Sequence, residues 1–163
     1  MLRLEGESKI CVDPKLGDEL GRDSLNDVNM LCEAMKIYSS KLGIDLHLLL
    51  VGGVVKPEKK GFFHKDVDLR FYSRELACEF YLRGECPKFD KFAEFISTIG
   101  KDLEWGVKIE KPWFDDYESS GDGKVVLLPQ GKPIEVLPVR EDRLFSSFEE
   151  FLSKETEPYF VLF

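Results

Sequence analysis

The feature that most constrains this chain is an alternation. From Asp66 to Tyr72 the sequence reads DVDLRFY, so Asp66, Asp68 and Arg70 share one face of an extended segment and Val67, Leu69 and Phe71 share the other. A period of two belongs to a strand with one buried face and not to a helix. The run before it, from Asp45 to Val51, is almost wholly apolar, has the length of a strand, and stops at Gly52 and Gly53. Together these segments predict two strands of one sheet, joined by a loop that carries Lys56, Lys59, Lys60 and Lys65.

Helical periodicity supplies the cover for such a sheet. Leu25, Val28, Leu31, Cys32, Met35, Tyr38 and Leu42 predict an amphipathic helix, with Ser24 as its N-cap and Gly43 as its stop. Helical character is expected again from Arg74 to about Leu82, and from Phe89 through Phe92, Ala93, Ile96 and Ile99 to Gly100. Trp105, Val107 and Ile109 predict a strand. Lys124 to Leu128 and Ile134 to Val139 predict a hairpin through Gln130 and Gly131, and Ser147 to Lys154 a last short helix. Residues 1–22 read as an irregular arm with a turn or short strand at Lys9 to Val12, and the polar stretch DDYESSGDG as a loop. This order gives an α+β (mixed α/β) fold, a mixed β-sheet with helices packed mainly on one face. No repeat or long linker divides it, so residues 1–163 are expected to form a single domain, and thirteen Phe fill its core without disulfides.

Charge and cysteine usage narrow the function. With 31 Asp and Glu against 23 Lys and Arg, a broad surface tracking duplex phosphates is not expected. Cys11, Cys32, Cys78 and Cys86 lack the spacing of a zinc site and read as buried thiols of a reducing compartment. No apolar run approaches the ~20 residues of a membrane helix, and MLRLEGESK lacks a signal-peptide core, so a cytoplasmic location without a membrane partner is expected.

The chemistry lies in the carboxylates. Asp66 and Asp68 sit ~6–7 Å apart along one strand face, by the rise of an extended chain. Facing carboxylates raise each other's pKa unless a cation lies between them, and Mg²⁺ suits that role. An acidic pair on a strand is also a common solubilising surface. Here, however, Gly52 and Gly53 precede it, and a glycine turn bares backbone N–H groups to an approaching phosphate. Amides, lysines and metal ligands together meet the needs of a metal triphosphate.

The pattern Val51-Gly52-Gly53, a loop from Val54 to Lys65, then Asp66-Val67-Asp68-Leu69 resembles the signature of the DNA polymerase beta-like nucleotidyltransferase superfamily. VGGVVK followed by KDVDL is similar to the head-domain motif of bacterial tRNA nucleotidyltransferases and poly(A) polymerases, with Lys56 in the place of a basic residue. The resemblance implies a nucleotidyltransferase-like sheet and a third carboxylate on a later strand, between apolar neighbours. Glu135, in Pro133-Ile134-Glu135-Val136-Leu137, matches that setting and is preferred to the rivals Asp115 and Asp116; an edge strand with alternate residues in solvent accounts for it equally well. It further implies that Asp66, Asp68 and Glu135 hold two Mg²⁺ ions, with Mn²⁺ as the alternative, and that Gly52, Gly53, Lys56 and Lys65 bind a nucleoside triphosphate. The NMP would pass to a hydroxyl acceptor, which is a small molecule, a protein or an RNA end, with release of pyrophosphate. Gly53 stands where many members carry serine, and the chain leaves no room for the helical neck and tail that hold tRNA.

Two other readings stand beside this one. A noncatalytic relative, antitoxin-like or a scaffold, would keep the fold and bind a partner protein; a glycosyltransferase would use the acid pair on a nucleotide sugar but leave the glycines unexplained. His64 and Arg70 are candidate phosphate contacts, Arg70 being equally suited to an ion pair with an aspartate. His47 reads as structural, Phe89 to Phe95 as core, and Trp113 or Tyr117 as a stacking surface for a base. The apolar tail Tyr159 to Phe163 suggests a homodimer edge.

Overall fold

The computed structural model describes residues 6–8, 16–59, 61–78, 86–115 and 119–163. In chain order its elements are β1 (Glu7–Ser8), α1 (Leu16–Leu20), α2 (Arg22–Leu42), β2 (His47–Val51), β3 (Val67–Tyr72), α3 (Pro87–Asp102) and β4 (Gly106–Glu110). There follow β5 (Trp113–Asp115), β6 (Ser119–Gly121), β7 (Lys124–Leu128), β8 (Ile134–Pro138), α4 (Phe148–Ser153) and β9 (Phe160–Val161). This is an α+β fold. Its main sheet has the order β1-β9-β2-β3-β8-β7-β4, with β3 and β8 parallel and the other neighbours antiparallel. β5 and β6 form a separate hairpin.

Alternation along the strands separates two faces. Leu48 and Leu50 of β2, Val67, Leu69 and Phe71 of β3, Ile134 and Val136 of β8, and Val125 and Leu127 of β7 are all fully buried. They pack against Val28, Leu31 and Met35 of α2 and Phe89, Phe92, Ile96 and Ile99 of α3 in one core cluster. Large aromatic rings meeting at an angle, such as Phe71 on Phe92 with centroids 5.3 Å apart, fill the space between sheet and helices. The opposite face carries a smaller cluster of Leu49, Tyr72, Ala77, Val139 and Phe151, covered by α4 and by Leu144, Phe145 and Tyr159 around it. Beside this cluster the face holds a recess.

Several expectations are corrected. Ser24 does not cap α2, which begins at Arg22 with Gly21 in front of it at φ 83°. The buried Ser24 lies inside the first turn, where its hydroxyl accepts from the Lys132 amide. Part of the expected arm is helical, as α1, while Lys9 to Val12 and Cys11 lie outside the described residues. Arg74 to Cys78 is not helical: the Ser73 hydroxyl accepts from the Leu76 amide, and Cys78 then bridges Arg140 beside the sheet. A side-chain acceptor at Ser73 offers the backbone a local turn that competes with a helix; residues 79–82 of that expected helix lie outside the described residues. The stretch read as a polar loop contains the β5–β6 pairing, while Asp116 and Tyr117 lie outside the described residues. The tail is not a free edge. Phe160 and Val161 pair with β2 and β1, and Leu162 is buried.

Other expectations hold. Gly43 ends α2 in the left-handed region at φ 65°, a conformation that glycine adopts without strain. Cys32, Cys78 and Cys86 are buried, and burial pushes the Cys32 thiol up to about 12. Among the described residues no helix is long and apolar enough to cross a membrane.

The turn before β8 is tied to α2. The Asp27 carboxylate, buried within α2, accepts from the Gly131 amide at 2.8 Å, beside the Ser24 contact to Lys132. Asp27→Ala should leave that amide without an acceptor and destabilise the fold by about 1–3 kcal/mol. Urea unfolding followed by circular dichroism would measure the loss, and an unchanged midpoint would show that α2 does not anchor this turn.

Candidate active site

The site is built by register. In the parallel pair Asp68 lies directly beside Glu135, and in the antiparallel pair Asp68 lies beside Val51, the last residue before the glycine turn. Asp66 precedes β3 by one residue and falls on the same side by alternation. The three carboxylates converge: one oxygen from each of Asp66, Asp68 and Glu135 lies within 4.8 Å of the others. Octahedral Mg²⁺ with oxygens at about 2.0–2.1 Å places its ligands about 3–4 Å apart, so the three acids fit a shared ion with small adjustments.

A cation already stands among them. Lys124, on β7, places its ammonium 2.6 Å from Glu135 Oε1 and 3.9 Å from Glu110 Oε2. Sequence reasoning missed this lysine. Its signal was the alternation of β7, which puts Lys124 on the face of Val126, the cross-strand neighbour of Glu135.

The electrostatics follow from crowding. Burial raises the Asp68 carboxyl to about 7, aided by its hydrogen bond to Glu135 and the nearby charges of Asp66 and Glu135, with Lys124 opposing. Asp66 is raised as well, by burial and then Glu135, with Lys124 and Lys65 opposing. Burial works against ionisation of Glu135 too, but hydrogen bonds from Lys124 and Asp68 overcome it and hold Glu135 below the ordinary value. The hydrogen bond to Glu135 raises Lys124 in turn, despite its own desolvation. The cluster therefore favours the proton on Asp68 below about pH 7 and the charge on Glu135.

Gly52 permits this closeness. It sits at φ 81°, and any Cβ there would collide with the Asp68 carboxylate. After it the chain enters a short 3₁₀ turn, Gly53–Val55, and Val55 N–H donates to Gly52 C=O at 3.3 Å. A Cβ at Gly53 would lie 3.1 Å from His64 Nδ1. His64 points its other nitrogen to Glu19, 3.3 Å away, and Glu19 also accepts from the Gly61 amide. His64 thus links the lysine loop and the glycine turn to α1, and it does not line the cavity over the acids.

That cavity measures about 400 Å³. Leu49, Val51, Leu137 and Val139 form its apolar floor, while Gly52, Lys56, Asp68, Glu135, Lys124, Arg70 and Arg143 contribute its polar groups. Phe151, Glu155, Glu157, Pro158 and Tyr159 wall it on the other side. Lys56 reaches Glu157, 3.8 Å away. Lys65 is exposed and outside the lining, its charge acting on Asp66. Arg70 is on the aspartates' face as expected, but it forms no ion pair with either. His47 stacks on Phe148 with centroids 3.8 Å apart, a structural contact. Trp113 is exposed on β5 and does not line this cavity. No protein-family model matches the chain, and no curated protein is similar to it.

The raised Asp68 makes stability depend on pH. The native state keeps a proton that the unfolded chain releases above 3.8, so this contribution is complete below that value and is lost as pH rises through about 7. Asp68→Asn should stabilise the metal-free protein at pH 8 by about 1–2 kcal/mol, after allowance for solvent screening, and the two proteins should converge near pH 4. Thermal melts across that range test this. A variant less stable than the parent at pH 8 would mean that the ionised carboxylate is favourably held.

Proposed function

We propose that this protein is a metal-dependent nucleotidyltransferase, and the observation that carries the reading is the meeting of Asp66, Asp68 and Glu135, of which Asp68 and Glu135 line the cavity beside the Gly52 turn and Asp66 stands at its margin. Three acids with a raised Asp68 are unfavourable unless a cation joins them, and their oxygens suit a hard divalent ion. Asp66, Asp68 and Glu135 would hold Mg²⁺, or Mn²⁺ in its place. Bound there, the metal supplies charge neutralisation at the phosphates and makes an acceptor hydroxyl more acidic.

The chain's own groups do the positioning. Gly52 lets the Asp68 carboxylate stand directly against the turn, and Lys56 on the same cavity wall would neutralise a phosphate there, exchanging Glu157 for it. Gly53 and Lys65 do not line the cavity and would act on the phosphate only from its margin. In the reaction the acceptor oxygen bonds to the α-phosphorus of a nucleoside triphosphate. The bond from that phosphorus to the bridging oxygen breaks, pyrophosphate leaves, and the acceptor's proton passes to a carboxylate of the cluster. Catalysis is then largely orientation and charge stabilisation.

One observation favours a noncatalytic binding module instead. Lys124 already neutralises Glu135, so the cluster has a resident counter-charge. Calorimetry separates the two readings. A transferase should bind ATP or CTP only with Mg²⁺, lose that binding in the double variant Asp66→Asn with Asp68→Asn, and release pyrophosphate from one labelled triphosphate in the presence of a hydroxyl acceptor. Nucleotide binding that ignores metal, or that survives the double variant, would leave the module.

Lys124→Met tests the exchange of counter-charges. Without the ammonium, metal should bind at least several-fold more tightly in the absence of nucleotide, because a competitor for Glu135 is gone. Mn²⁺ titration read by electron paramagnetic resonance measures it. Weaker metal binding would make Lys124 a support of the site and not its competitor.

A further inference from the structure

The same cavity has a second polar end, and its chemistry is opposite to the first. Arg70 lies on the floor two residues along β3 from Asp68, about 6–7 Å away by the strand rise. Among the described residues no carboxylate lies within ion-pair distance of its guanidinium and no side-chain hydrogen bond satisfies it; Asp122 and Glu155 act on it only at longer range. Arg143 faces the same space. Its Nε is buried with no acceptor, and its Nη2 stands 3.8 Å from Glu155, beyond hydrogen-bond distance. Arg70, largely desolvated and without a bonded acceptor, feels the charge of Arg143, whose Nε is buried without one, and this is costly. An arrangement of this kind is stabilised when an oxyanion enters, because the planar fork of arginine offers paired donors to phosphate.

Register fixes the direction of this end. Val51, which leads into Gly52, pairs with Asp68, whereas Leu49 pairs with Arg70. Arg70 therefore lies on the far side of the acids from the glycine turn. In an in-line transfer the entering and leaving oxygens stand on opposite sides of the phosphorus. With pyrophosphate leaving toward Gly52 and Lys56, the acceptor enters from the side of Arg70.

We infer that Arg70 and Arg143 form an anion subsite for a phosphate group carried by the acceptor, so that the acceptor is a phosphorylated alcohol or the phosphate-bearing end of a polynucleotide. Two guanidiniums match the double charge of a phosphate monoester better than the single charge of a carboxylate. The assignment to the acceptor rests on the transferase reading; the anion subsite itself does not.

The test is titration of the full chain with inorganic phosphate, without metal or nucleotide, followed by amide chemical shifts and calorimetry. Arg70→Met and Arg143→Met should each weaken phosphate about tenfold or more, as expected for a lost charge-assisted hydrogen bond. Arg70→Lys should recover only part of the loss, because it restores charge without the fork. Asp66→Asn with Asp68→Asn should bind phosphate at least as well as the parent. Arg143 is partly exposed, so its variant keeps the test open if Arg70→Met fails to fold. Phosphate affinity unchanged in Arg143→Met, or lost in Lys56→Met and kept in Arg70→Met, overturns the subsite.

Ribose 5-phosphate and a short 5′-phosphorylated oligonucleotide then distinguish the sources. Tighter binding of the first marks a small-molecule acceptor and tighter binding of the second a polynucleotide end; neither exceeding inorganic phosphate overturns the acceptor assignment. Phosphate binding that persists when metal-dependent nucleotide binding is absent would remove the transferase reading and leave the anion subsite standing.

Discussion

The parallel pairing of β3 with β8 is the constraint on which the rest depends. It brings Asp68 beside Glu135 and Arg70 beside Leu137, and it sets which end of the cavity is acidic. A slip of one residue would turn Asp68 and Arg70 into the apolar core and Leu69 into the cavity, so the register is held by everything packed under it. Val67, Leu69, Phe71, Ile134 and Val136 have no exposed surface, and they lock the two strands from the helical side. The strands meet in parallel only because a long crossover, containing α3, β4 and β7, returns the chain to the same edge. Burial on one face thus fixes chemistry on the other.

What the core stabilises is an arrangement that is locally unfavourable. Asp66, Asp68 and Glu135 repel, Asp68 holds a proton into the neutral range, and Gly52 gives up a side chain so that Asp68 can stand against the turn. Such frustration sits at sites more often than elsewhere, because ligands relieve it. Lys124 relieves part of it in the free chain, and its bond to Glu135 is the means by which the acids stay ordered before any ligand arrives. The tie of Asp27 to Gly131 fixes the turn from which β8, and so Glu135, starts.

Much of this was legible from residue order because it is periodic. Alternation placed Asp66, Asp68 and Arg70 on one face, and the apolar setting of Glu135 marked a strand that could join them. β7, β8, α4 and the end of α2 fall where turn and cap residues put them. The failures have local causes. Ser24 has the chemistry of an N-cap, but Gly21, free to adopt positive φ, sets the helix start and leaves Ser24 to bond across the chain. Arg74 to Cys78 has helix-forming residues, yet the Ser73 hydroxyl and the sheet edge at Val139 take its backbone groups. Lys124 and Arg143 acquire meaning only from neighbours far along the chain, Glu135 in one case and Arg70 in the other, and no spacing in the sequence announces such a pair. The tail, read as an open apolar edge, is used up inside the chain's own sheet.

The form of the cavity bears on which class of ligand fits. Its volume of about 400 Å³ lies in the range of small-molecule and nucleotide sites, about 300–1,000 Å³, and its apolar floor is flanked by acids at one end and arginines at the other. The recess is walled by Phe151, Pro158 and Tyr159. Opposite charges at its two ends would collapse onto each other if the strands allowed it, but Asp68 and Arg70 are held apart by a rigid backbone and each is left facing the space between. A ligand that brings metal-bound phosphates to the acids and a phosphate to the arginines answers both ends at once. The segment carrying Glu155 and Glu157 approaches the same cations from the wall, with Glu157 on Lys56 and Glu155 on Arg143. Both contacts are 3.8 Å long and the cations stay partly exposed, so these glutamates hold the two charges only loosely.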